Sequence, residues 1–154
     1  GGINVTSVVQ LVPEKTTFKL SAVYGAGIGS YISDFGGIHS DDRKDMHVKQ
    51  SKGQDDTTYR VGVLGGYVAL EHQWLPQYHS TFTYGILNVS RDEEHVKTEH
   101  IYKRGQSFSA NLTYHPTKQV HCGVEYLWGS KKGFKDEADP KHAHRLQVAA
   151  GFSL

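Results

Sequence analysis

A lone cysteine, Cys122, stands in the 154 residues, so neither a disulfide framework nor a multi-cysteine zinc site is available. No apolar run approaches the roughly 18 residues that a membrane-spanning helix needs. Charge of one sign is lacking too: the formal net charge is +1, which gives no electrostatic argument for a nucleic-acid partner. Hydrophobic residues reach only 37% of the chain, below the roughly 45–50% apolar content of ordinary globular domains. No secretory signal peptide opens the sequence, so the chain is mature, cytosolic or cut from something longer. Neither a G-x-S-x-G elbow nor an H-E-x-x-H motif occurs, which leaves an enzyme reading without a nucleophile or metal signature. No cofactor is expected.

What the chain does have is glycine and aromatics: 17 Gly, nine Tyr and six Phe. With a poor apolar total and no disorder signature, this mixture fits strands that are apolar on one face only. The stretch Gly25–Ile32, GAGIGSYI, illustrates the point. A dinucleotide fingerprint requires G-x-G-x-x-G opening a helix. Here glycines fall at 25, 27 and 29, and Ser33-Asp34-Phe35-Gly36-Gly37 follows, which cannot start a helix. Ala26 and Ile28 instead continue the apolar alternation of Phe18, Leu20, Ala22 and Tyr24, as a strand would.

Similar alternation recurs along the chain and predicts seven strands, over Asn4–Leu11, Phe18–Tyr24, Tyr59–Trp74, Ser80–Ile86, Ser107–Tyr114, Val120–Trp128 and Arg145–Leu154. In the third, the apolar parity changes across Gly65-Gly66, where a β-bulge is expected. Connections alternate in length. Short turns carry Pro13, Pro76 and Pro116, whereas Ser33–Asp56, Arg91–Glu99 and Lys131–Lys141 are long polar links. Tight turns at one end and long loops at the other are the pattern of an outer-membrane barrel. An amphipathic girdle is expected from Tyr59, Trp74, Tyr78, Tyr114, Tyr126 and Trp128, which fall near strand ends.

An antiparallel transmembrane β-barrel is therefore the predicted fold, with residues 1–154 as a single barrel segment and 33–56 as a long extracellular or constriction loop that folds inward or meets a neighbouring subunit. Bacterial single-chain barrels have an even strand number. Seven strands then imply the C-terminal portion of a larger barrel, or one uncounted strand.

The hairpin Tyr114–Gly129, YHPTKQVHCGVEYLWG, followed by HRLQVAAGFSL, resembles the C-terminal strands of DcaP-like trimeric porins. Those close with a Y-x-P-x-x-Q-hydrophobic turn, a G-x-E-Y strand and an R-x-Q-x-aromatic end. The segments YGAGIGSYI, GGYVALEHQW and LPQYHSTFTYG are similar to members of that group, so the resemblance extends from about Tyr24 onward. It implies an outer-membrane homotrimer that passes small, often anionic solutes such as dicarboxylates, bordered by membrane lipids and lipopolysaccharide. This chain departs from the usual aromatic terminus, ending in Leu154 with Phe152 on the outward parity.

If the apolar set faces lipid, the other set lines water. Its candidates are Lys19, Arg60, Glu71, His79, Asn111, His121, Glu125, Arg145 and Gln147. Lys19, Arg60 and Arg145 are suited to attract a carboxylate; alternatively the charges pair with Glu71 and Glu125 and brace the wall. His142 and His144, beside Asp136, Glu137 and Asp139, have donor types that hold zinc, but in an exposed loop they are expected to be solvated, and no metal site is assigned. Cys122 lies on the apolar face and is expected to be inert. Two other architectures fit the alternation: a small non-pore barrel of structural or adhesive role, and a water-soluble lipocalin-like barrel with its apolar face turned inward around a ligand.

Overall fold

The computed structural model describes residues 1–26, 62–90, 102–133 and 140–152. The long link at 33–56, with Tyr59 and Arg60, lies outside them, as do the acidic residues 136, 137 and 139 and the terminal Leu154. Seven strands follow in order: β1 (Gly2–Val12), β2 (Thr16–Ala26), β3 (Gly62–Leu75), β4 (Tyr78–Ser90), β5 (Tyr102–Tyr114), β6 (Val120–Gly133) and β7 (Lys141–Phe152). They form one antiparallel meander in which each strand pairs with its neighbours in sequence. β1 and β7 do not pair with each other, so the sheet is open.

The three short turns explain the register. Each carries a proline at or next to its start, and the fixed φ of proline suits the first corner of a tight turn. Between β1 and β2 the Lys15 amide donates to the Val12 carbonyl at 3.1 Å, and Glu14 takes φ 59°, the left-handed corner that follows proline in a type II turn. Between β5 and β6 the Thr117 hydroxyl accepts from the Gln119 and Val120 amides at 3.3 and 3.2 Å.

The expected bulge at Gly65-Gly66 is absent. Both glycines stay in register, Gly65 with Val23 and Leu87 and Gly66 with Ala22 and Ile86. Register shifts occur instead at Gln10/Val12, Gln73/Leu75 and Tyr102/Arg104, at strand ends. Gly66 answers a different need. A Cβ there would stand 2.7 Å from the Ser21 carbonyl oxygen, so β2 and β3 approach as closely as they do only because that position is bare.

Four strands run four or five residues further toward the long connections than their alternation predicts. β4 continues to Ser90, β5 begins at Tyr102, β6 reaches Gly133 and β7 begins at Lys141. Lys131 and Lys132 therefore belong to β6, and His142 and His144 to β7 rather than to a loop. Backbone pairing persists in these extensions after the apolar alternation has stopped, which is why the side-chain pattern alone missed them.

Candidate functional site

Directly opposed residues share a face, so the register sorts every described side chain to one side of the sheet or the other. One side carries Phe18, Leu20, Leu64, Val68, Phe82, Tyr84, Phe108, Leu112, Val124, Leu146, Val148 and Phe152. Far from converging on a dry interior, ten of these twelve are exposed, Leu146 to 71%, Val148 to 78% and Phe152 to 62%, while Phe18 and Phe108 are half-buried. A water-soluble lipocalin would hide this set, so the inward-facing apolar alternative fails on these residues.

The exposed apolar set forms a band that runs diagonally across the ladder. Its edge toward the long connections is Tyr24, Leu64, Ile86, Phe108, Trp128 and Leu146, on β2 to β7 in turn. Tyr24 and Leu64 are direct partners, but Leu146 traces through Tyr126, Ala110, Phe82 and Leu70 to Phe18, six residues from Tyr24 along β2. Six residues at about 3.4 Å each, across five strand spacings of about 4.8 Å, incline the strands about 40° to the normal of the band. Strands of membrane barrels tilt by roughly 35–45°.

On the opposite face lie eight of the nine predicted pore-lining residues: Lys19, Glu71, His79, Asn111, His121, Glu125, Arg145 and Gln147. Arg60 is outside the described residues. Thr17, Glu71, Thr81, Asn111, Glu125 and Gln147 are successive partners, making one polar row across six strands. Within or beside it, Lys19 Nζ donates to Glu71 Oε1 at 2.6 Å, the Thr81 amide donates to Asn111 Oδ1 at 3.0 Å, and the Gln147 side-chain amide donates to Glu125. Arg145 faces Leu127 across the ladder, and no described carboxylate pairs with it. Hydrogen bonds thus link much of the polar row across the strands, while Arg145 has no carboxylate partner among the described residues.

Nearer the short turns, His115 stacks on His79 with ring centroids 5.1 Å apart and meets His121 at a tilt, 5.9 Å away. The His121 ring occupies the space a Cβ at position 151 would need, which Gly151 leaves open. Among the described residues no group of three or more metal-ligating side chains is arranged to hold an ion. Toward the long connections the same face becomes slim, with Ser21, Gly65, Gly85, Gly105, Ser107, Gly129 and Ala143. They border a cavity of 1090 Å³ that touches all seven strands, so this face is the concave one. It is not uniformly polar: Val63, Ala69, Leu87 and Val89, the buried hydrophobic residues among those described, all sit on it.

Of the predicted girdle, Trp74, Tyr78 and Tyr114 gather at the short-turn end, where Tyr78 and Tyr114 stack at 4.5 Å and Trp74 Nε1 donates to Ser80 Oγ at 3.0 Å. Trp128 lies on the opposite edge of the band, stacked on His142 at 5.7 Å. Tyr126 sits one pair further in, its hydroxyl 2.6 Å from His144 Nδ1. Tyr59 is outside the described residues. The sequence reading missed Tyr24, 64% exposed at the band edge on β2. It also missed Lys131 and Lys141, opposed partners on the concave face, because both fell in a stretch read as a polar link.

The outer-membrane channel DcaP of Acinetobacter baumannii has a solved structure similar to this chain, with a TM-score of 0.75 at 15% identity. The fold is that of a barrel wall. The similarity covers 99% of this chain and 40% of that one, so the seven strands correspond to about two fifths of the channel's length. No protein-family model and no curated sequence matches this chain. The diagonal band now has a natural setting: in a barrel wall the exposed convex side meets hydrocarbon and the concave side meets the lumen.

Proposed function

We propose that the chain forms part of an outer-membrane porin, through which small hydrophilic, preferentially anionic solutes diffuse passively. One observation supports the reading above the rest: an exposed apolar band runs obliquely from β2 to β7, and the concave face behind it carries the charged and small side chains, Val63, Ala69, Leu87 and Val89 apart. Such a wall is stable only with lipid outside and water inside.

Among the described residues the outer edges of β1 and β7 have no strand partner, and each unpaired backbone group costs several kcal/mol in hydrocarbon, so closure of the barrel requires further strands. Seven strands over 40% of a channel chain give a barrel of about 16–18, wide enough for an aqueous passage. The wall acts by size and charge. Small side chains widen the lumen toward the long connections, and the charges lining it bias which ions dwell there. Among the described residues whose pairing fixes their face, the concave cations are Lys19, Lys131, Lys141 and Arg145 and the concave carboxylates are Glu71 and Glu125, an excess of two positive charges, with Lys103 standing at a register shift beside them. That excess supports the anionic preference. Assembly as a homotrimer and contact with lipopolysaccharide belong to the same proposal.

Planar-bilayer conductance of the full-length protein tests it. Arg145→Glu is expected to lower the anion-to-cation permeability ratio without abolishing conductance. Reversal potentials unchanged by this substitution would remove Arg145 from the selectivity argument. Absence of any conductance from a folded wild-type barrel would defeat the porin reading itself.

A further inference from the structure

On the lipid-facing side of the wall, Asn88, Arg104 and Lys132 are successive direct partners on β4, β5 and β6. Two like charges opposed across an antiparallel pair repel and weaken the sheet locally. Among the described residues no carboxylate shares their face: Glu14 lies in a turn, and Glu71 and Glu125 lie on the concave face. Both Arg104 and Lys132 are exposed. We propose that Arg104 and Lys132 form a docking site for the phosphate of a membrane-lipid headgroup. The proposal rests on the reading that the convex face meets lipid.

Height along the wall supports this occupant. Arg104 and Lys132 each stand four residues beyond the last apolar band residue of their strands, Phe108 and Trp128. At about 3.4 Å per residue and a tilt of about 40°, that places them roughly 10 Å past the hydrocarbon edge. Headgroups occupy roughly the first 5–8 Å beyond the hydrocarbon, within reach of both long side chains. The residues between are suited to the interface. Gln106 Nε2 donates to the Tyr84 hydroxyl at 2.8 Å, Ser130 faces Gln106 across the ladder, and His142 stacks on Trp128. A phosphate between the two cations converts mutual repulsion into two charge-assisted contacts, with the Arg104 fork able to take two oxygens. The site lies on the convex, lipid-facing surface and not in the lumen, which favours a phosphate tethered in the membrane over one free in water.

The test uses the full-length protein in detergent and native mass spectrometry, with three probes: bisphosphorylated lipid A, its dephosphorylated form and inorganic phosphate. Wild type should retain the phosphorylated lipid, and R104Q/K132Q should retain at least tenfold less. The charge-conserving R104K/K132R should keep most of it. K118Q, which removes an exposed cation in the β5–β6 turn, should match wild type. Equal retention by wild type and R104Q/K132Q would overturn the proposal. So would equal retention of the dephosphorylated lipid, or displacement by inorganic phosphate at comparable concentration, which would make this a free-anion site. Loss of oligomers in R104Q/K132Q with unchanged lipid retention would assign the cations to a protein neighbour and likewise overturn it. Heat-dependent gel mobility reports barrel folding independently, and the single variants carry the test if the double variant does not fold. A wild-type protein that stays dispersed without detergent would instead defeat the membrane reading beneath the proposal.

Discussion

The 2.6 Å contact between Lys19 and Glu71 looks strong, but its side chains remain 36% and 42% exposed. Exposed pairs of this kind contribute only about 0–1 kcal/mol, because water and salt screen them. Its effect on the electrostatics of the concave face should therefore exceed its effect on stability. Glu71→Gln removes one negative charge from that face and releases the Lys19 ammonium. Urea unfolding in lipid vesicles should show a loss below about 1 kcal/mol, while reversal potentials move toward anions. A large loss of stability with no change in ion preference would mean that the pair braces the wall and contributes nothing to permeation. Arg145 differs in kind, since it has no carboxylate to neutralise it among the described residues.

Along each strand the period of two decides which environment a residue meets, and adjacent positions should respond oppositely to the same change. Ala110 lies on the apolar face midway between Phe108 and Leu112, whereas Ser109 belongs to the concave face of the same strand. Ala110→Arg should destabilise the folded barrel by about 2–4 kcal/mol, the cost of an arginine at mid-depth on a lipid face. Ser109→Arg should cost far less and shift ion preference instead. Similar losses from both would show that the two faces do not differ in solvent. This alternation is also what made the fold legible: Phe108, Ala110, Leu112 and Tyr114 against Ser107, Ser109, Asn111 and Thr113 identify β5 without any structure. The extensions beyond the band were illegible for the complementary reason. Arg104–Gln106 and Ser130–Lys132 pair through their backbones, while their side chains no longer divide between oil and water. The same limit hid Lys131, Lys141 and the opposed Arg104 and Lys132, which emerge only when register assigns each lysine to a face. Parity alone also misread Gly65-Gly66 as a bulge, because the inward-facing Val63 is apolar and imitates a change of phase.

Taken together, the strands encode an orientation that no single one contains. The lower edge of the band drifts in the same sense as the upper: Phe18 and Leu70 are opposed on β2 and β3, Leu112 lies one pair further along β5, and β7 remains apolar down to Phe152. A band of constant height crossing a stepped ladder fixes the tilt, and tilt with strand number fixes barrel width. Polarised infrared dichroism of the amide I band, on the full-length protein in oriented bilayers, should therefore give a mean strand inclination of about 40°. Were the strands to stand within about 20° of the membrane normal, a level hydrocarbon layer could not cover both Tyr24 and Phe152, and the diagonal band would need another partner. At about 40° the same layer covers the exposed apolar side chains from β2 to β7 and leaves Arg104 and Lys132 above it. A flat interface with a soluble protein would impose no such constant drift, so the measured angle tests the membrane setting independently of any solute.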